Sequence, residues 1–231
     1  MLDLSILEKN LDYEFKNKDF LLEALTHRSY LNENQNWKLP HNERLEFLGD
    51  AVLELCSTEE LFLTYKNGEG ELTAFRAALV NADSLAQSAK DLSINDFLLL
   101  SRGEAKETGK ARNEILGNTY EAVIGAIYLD GGYKAALKFV AKSLLPMLKD
   151  IIELGLYRDP KSRFQEEAQA KFGITPHYQV LKESGPDHNK DFVVGVFLGP
   201  EKVAEAVGKS KQEAETGAAK KALEVKGWDG V

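Results

Sequence analysis

Residues 41–55 read HNERLEFLGDAVLEL, and this stretch decides the fold. Leu45, Phe47, Leu48, Val52 and Leu53 recur at helical spacing, which predicts a core helix running from Asn42 to about Tyr65. The same stretch carries Glu43, Glu46 and Asp50, brought onto one helical face by intervals of three and four. Like charges so placed repel by roughly 0.2–0.5 kcal/mol per pair when exposed, and by more when partly buried. Two readings stay open: a divalent-metal site, or the solvated face of an amphipathic helix.

A second stretch bears on that choice. Residues 113–132, NEILGNTYEAVIGAIYLDGG, are nearly all apolar from Ala122 to Leu129 and end in a plausible glycine cap. Glu121 lies at the centre, with Asn118 three residues before it and Glu114 four before that, again on one face. A buried acid satisfied by an arginine or by backbone donors is the plain reading of Glu121. Two independent core helices presenting acids inward favour a shared cation.

Around these helices the pattern stays helical. Residues 2–30 predict two short amphipathic helices, the second started by NKDF (17–20). Pro40 stops the polar segment 32–40, and KNGEGEL (66–72) reads as a glycine-punctuated loop carrying Glu69 and Glu71. Helical patterns fill 72–92, a charged loop covers 102–112, and one more helix over 133–154 is interrupted or kinked at Pro146. No period-two alternation precedes residue 155, so the first domain, 1–154, is expected to be all-α.

After a short linker at 155–159 the period changes. A helix over Lys161–Lys171 ends at Gly173, and strands are expected at 177–184, 191–199 and 202–208. Residues 209–228 return to helix, with Ala214, Ala218, Ala219, Ala222 and Leu223 on its buried side. The order α-β-β-β-α makes residues 160–228 a small α+β domain with helices packed on an antiparallel sheet.

Composition bounds the rest. With 43% hydrophobic and 29% charged residues in 231, the chain has the makings of a proper core. No apolar run approaches the roughly 18–20 residues needed to span a membrane, and MLDLSILEKNLDYEF (1–15) is no secretory signal. The single cysteine, Cys56, excludes an intramolecular disulfide and reads as a buried small hydrophobe. A soluble cytoplasmic protein is the expectation. The net charge of −8 argues by itself against a nucleic-acid partner, yet residues 158–231 hold 12 basic and 12 acidic residues, so residues 1–157 carry the whole −8. Lys209, Lys211, Lys220 and Lys221 cluster about the last helix, where an N-terminus flanked by lysines can hold phosphate, although charge alone favours an ordinary solvated helix face.

At NERLEFLGDAVLEL (42–55) the chain resembles bacterial ribonuclease III. The resemblance continues through ALTHRSY (24–30), EGELTAFRAALV (69–80) and ILGNTYEAVIGAIYLDGGY (115–133). The second half is similar to a double-stranded RNA-binding domain at FQEEAQAKFG (164–173), ESGPDH (183–188) and KSKQEAETGAAKKAL (209–223). This likeness implies an all-helical nuclease domain that pairs as a homodimer and an RNA-binding domain, together cutting double-stranded RNA with Mg²⁺, or Mn²⁺ as a substitute. It also implies 5′-phosphate ends with short 3′ overhangs, precursor ribosomal RNA and structured messages as substrates, and no membrane or small-molecule partner.

By motif, Glu46, Asp50 and Glu121 match the family's metal-binding acids, and Asn118 stands where a metal-binding aspartate is usual. Glu43 and Glu69 match the remaining acids, and Phe47 an aromatic at the dimer interface. In the second domain Ser162, Gln165 and Glu166 match first-helix RNA contacts, Pro186 and His188 a loop entering a second minor groove, and Lys209 and Lys211 the phosphate contacts between. Two departures follow: Ser210 is followed by one lysine rather than two, and Asn118 leaves the metal site one charge short. The second departure opens an alternative, a non-cleaving or impaired regulator that binds duplex RNA.

Overall fold

In a computed structural model, which describes residues 3–186 and 190–228, the chain divides into two units, Met1–Ile152 and Glu153–Val231.

The first unit is helical. Helix α1 (Leu4–Leu11) is capped by Asp3, whose carboxylate accepts from the Ser5 N–H at 3.1 Å. Helix α2 (Lys18–Leu25) starts at the Asn17 cap. The two helices expected before residue 30 are in fact three: the chain turns extended at Thr26, and α3 (Arg28–Glu33) begins anew with His27 as its cap. The long helix α4 (Glu43–Thr64) falls where the apolar spacing places it. Helix α5 (Glu69–Leu79) starts earlier than the glycines suggest. Glu69 and Glu71 thus occupy its first turn rather than a loop, where carboxylates favour the positive end of the helix dipole. Asn81 ends that run by capping α6 (Ala82–Asp91), accepting from the N–H groups of Asp83 and Ser84.

Helix α7 (Gly109–Gly131) also begins four residues before its expected start, because Thr108 is extended and residues 109–112 simply continue the helical ladder. Its end is the glycine cap, Gly132 at φ 77°. Helices α8 (Tyr133–Ser143) and α9 (Met147–Glu153) are separated around Pro146. Helix α7 is the axis of the unit, packing against α4, α6, α2 and α8, with every residue from Ala122 to Ile127 buried. Helices α4 and α7 meet at two glycines. A β-carbon on Gly125 would collide with the Leu45 carbonyl, and one on Gly49 with the Glu121 carbonyl. Only glycine permits that approach.

In the second unit, α10 (Pro160–Phe172) is capped by Asp159 and closed by Gly173 in the left-handed conformation. Strands β1 (His177–Ser184), β2 (Asp191–Leu198) and β3 (Glu201–Gly208) form an antiparallel sheet in that order. Helix α11 (Lys211–Lys226) starts at the Ser210 cap and lies along β2 and β3. Phe164, Val196, Leu198, Ala206 and Trp228 form its core with the alanines of α11. The expected α-β-β-β-α order is present.

Candidate active site

Close helix packing builds the site. Glu46 and Asp50 flank Gly49 on α4, and Glu121 supplies the carbonyl that Gly49 meets on α7, so contact between the two backbones delivers all three carboxylates to one seam. Their electrostatics register it. Burial, and then the neighbouring charges of Asp50 and Glu46, push the Glu121 carboxyl up to about 7. Burial followed by Glu43 and Asp50 raises Glu46 as well. Among the described residues no Lys, Arg or His forms an ion pair with Glu46, Asp50 or Glu121.

Glu43 behaves differently. It takes Arg28 at 3.5 Å, with His41 Nδ1 3.8 Å away, so Arg28 already partners it at the mouth of the site. Asn118, exposed on α7, lines a pocket of about 270 Å³ with His27, Glu43, Glu46, Glu104 and Glu114. His27 and Glu104 were missed by sequence reasoning. Glu104 lies in a short 3-10 turn (Glu104–Lys106) without periodicity, and the signal for His27 is its cap on Ser29.

The structure does not bring Glu69 to these groups within one chain. Glu69 lines a separate pocket with Thr58, Phe62, Thr73 and Arg76. From Glu46 to Phe62 is roughly 24 Å along the axis of α4, at 1.5 Å per residue. Phe47 is 81% exposed, and Leu55, Phe62 and Leu63 on the same helix are exposed too.

Does this donor set suit a metal ion? All the groups are oxygen donors, the set a hard divalent cation prefers, and the raised carboxyls show charge that an ion would relieve. Among the described residues no three Asp, Glu, His or Cys side chains already converge on one point. That is compatible with Mg²⁺, which takes one or two carboxylates and keeps several waters, and with carboxylates that repel one another. The residues fit.

In the second unit, Ser162, Gln165 and Glu166 stand exposed on one face of α10, with the Ser162 hydroxyl donating to Asp159 at 3.0 Å. Pro186 is exposed, and His188 lies outside the described residues. Lys209 and Lys211 bracket the Ser210 cap of α11. Each is held by an acid: Lys209 by Asp191 at 2.8 Å, Lys211 by Glu183 at 3.4 Å, with Lys211 also over the Phe192 ring.

Comparison with known proteins places these features. The family model described as "Ribonuclease-III-like" matches residues 17–148, and that for the double-stranded RNA binding motif matches 160–226. A protein named Ribonuclease 3 from Campylobacter fetus is 44% identical over 222 residues, 96% of this chain and 97% of its own length. Another of that name from Wolinella succinogenes is 46% identical, covering 94% and 90%. The crystal structure of the nuclease domain of ribonuclease III from Campylobacter jejuni is 43% identical, with a TM-score of 0.57, over 64% of this chain and 97% of that one. A second structure of that domain, TM-score 0.57, is described as showing flexibility in the region involved in dimer formation. None of these names supports a non-cleaving regulator.

Proposed function

The chain belongs to the ribonuclease III family, and on that premise we propose a Mg²⁺-dependent endoribonuclease that cuts double-stranded RNA, leaving 5′-phosphates and short 3′ overhangs. One observation carries the reading. The Gly49 contact brings Glu46, Asp50 and Glu121 to one seam, where burial and neighbouring charge raise the Glu46 and Glu121 carboxyls and, among the described residues, no basic side chain pairs with any of the three. Such an arrangement costs stability and is compensated when a cation arrives.

Glu46, Asp50, Asn118 and Glu121 are the residues that would hold Mg²⁺, with Mn²⁺ as a substitute. The bound ion would supply a Lewis acid toward the phosphodiester and a more acidic water. Glu43, paired with Arg28, orients water or RNA at the rim. Glu69 is assigned to RNA or to the paired copy, since it opens α5 beside the far end of α4. Exposed Phe47, with Leu55, Phe62 and Leu63, offers the apolar surface for a homodimer.

Recognition falls to the second unit. A-form duplexes present 2′-hydroxyls and phosphates across a shallow minor groove, so polar groups on α10 and lysines at the start of α11 read shape rather than sequence. By their family motif, Pro186 and His188 are assigned to contact with a second minor groove. Precursor ribosomal RNA and structured messages, in the cytoplasm, are the substrates proposed. Incubating the purified protein with a long RNA duplex, with and without Mg²⁺, tests this: 5′-phosphorylated fragments are expected only with the ion. Duplex retained in a gel and uncut under every divalent ion would overturn the enzyme and leave a binding protein.

A further inference from the structure

Within the pocket beside the acids, His27 is fixed from one edge of its ring. The Ser29 N–H donates to His27 Nδ1 at 3.3 Å, and Ser29 Oγ lies 2.8 Å from the same nitrogen. Ser29 Oγ itself accepts from the Ser101 N–H at 3.0 Å, which leaves the hydroxyl proton free to turn to the Nδ1 that already accepts from the Ser29 N–H. An imidazole nitrogen that accepts carries no proton, so the ring is the Nε2–H tautomer. Burial favours the same neutral form, lowering the His27 pKa.

The backbone is held as firmly. The His27 N–H donates to the Leu99 carbonyl at 3.0 Å, the Leu99 N–H to the Leu25 carbonyl at 2.9 Å, and the Asn42 N–H to the Thr26 carbonyl at 2.9 Å. These bonds tie the ring to the start of α4, the helix that carries Glu46. Among the described residues no group accepts a hydrogen bond from Nε2, although the ring lines the pocket with Glu43, Glu46, Glu104, Glu114 and Asn118.

A donor needed only for structure would be satisfied by one of these acids. A metal ligand would need a free lone pair where this ring carries its proton. A lysine here would collapse onto the carboxylates in the RNA-free protein, whereas a neutral, oriented N–H does not. What suits it is an anionic oxygen that enters with its own cation. We infer that His27 is a substrate-contacting residue, its Nε2–H donating to a non-bridging phosphate oxygen of the strand being cut. This rests on the double-strand endoribonuclease reading above.

The test exploits the two edges of the ring. In His27→Asn, Oδ1 replaces Nδ1 as the cap of α3 and the Nε2 donor is lost; in His27→Gln the donor at the ε position is kept and the cap lost. Wild type and both variants are compared in single-turnover cleavage of a long RNA duplex, in Mg²⁺ titration and in thermal unfolding. His27→Asn should keep its unfolding midpoint and half-saturating Mg²⁺ but cleave about tenfold or more slowly, with His27→Gln recovering part of the rate. A sulfur at the contacted non-bridging position should slow wild type and leave His27→Asn no slower than on the all-oxygen duplex. An unchanged rate in His27→Asn, a loss that tracks the midpoint, or a shifted Mg²⁺ requirement would each overturn the assignment. Failure of wild type to cleave under any divalent ion would instead overturn the endoribonuclease reading.

Discussion

The carbonyl of Glu121 on α7 occupies the space that a side chain on Gly49 of α4 would need. One contact therefore sets both the packing of the first unit and the meeting of its carboxylates. Gly49→Ala must push the helices apart, at a cost of about 1–3 kcal/mol or more for overpacking. The unfolding midpoint should fall by several degrees, and Mg²⁺ affinity should fall with it as Glu46 and Asp50 withdraw from Glu121. Gly70→Ala, where a β-carbon meets nothing within 4 Å, should leave both unchanged. Calorimetry and metal titration on the two variants check this, and a Gly49→Ala protein with a wild-type midpoint would contradict the packing argument.

The pH dependence follows from Glu121. Its carboxyl is raised to about 7 in the folded chain, chiefly by burial, against the ordinary 4.5 of the unfolded chain. Between those values the folded state binds more protons, so metal-free stability falls as pH rises through that window. Discounted for partial exposure, the loss is on the order of 2 kcal/mol by about pH 8. Glu121→Gln should therefore raise the midpoint in chelator near pH 8 and lose that advantage near pH 5, as thermal melts across pH would record. In Ca²⁺ it should bind duplex RNA as wild type does while failing to cleave in Mg²⁺. Collapse of RNA binding would show that the units do not divide labour as proposed.

How much of this was legible in the chain differs by element. Helices α4 and α7 were, because a 3.6-residue apolar period over some twenty residues has no competing reading. The approach of Gly49 to Glu121 was not, since it depends on how two helices distant in sequence pair. Glu69 was misplaced in a loop because Gly68 and Gly70 surround it, yet a glycine in extended conformation can precede a helix as well as break one. The His27 donor was hidden for another reason: its orientation comes from Ser29 and Ser101, and the Ser101 link spans 72 residues.

Lys209 and Lys211 make a further prediction. Asp191 and Glu183 hold them at 2.8 and 3.4 Å, so phosphate must displace an acid the chain already provides. Exposed pairs of this kind are worth about 0.2–1 kcal/mol each. Asp191→Asn should then tighten duplex binding by roughly 1.5- to 5-fold at low salt, and Lys209→Ala should weaken it. The gain should shrink as salt rises, because both competitors are screened. Binding isotherms over a salt series read this directly; an Asp191→Asn protein with unaltered affinity would mean that Lys209 does not meet phosphate.

Asn118 lines the pocket with Glu46 and offers a neutral amide oxygen where a carboxylate would complete the charge of the site. Asn118→Asp adds that charge, and its effect should have opposite signs with and without metal. In chelator the new carboxylate repels Glu46, Asp50 and Glu121, so the midpoint near pH 8 should drop below wild type. In Mg²⁺ the same charge is attractive, and half-saturation should fall by an amount on the order of tenfold. Binding to the folded state alone raises the midpoint in proportion to occupancy, so the variant should gain more from a given Mg²⁺ concentration than wild type does. Thermal melts in chelator and in a Mg²⁺ series measure both terms on one sample. Parallel curves for the two proteins would show that residue 118 does not touch the ion, and that Glu46, Asp50 and Glu121 hold it without help.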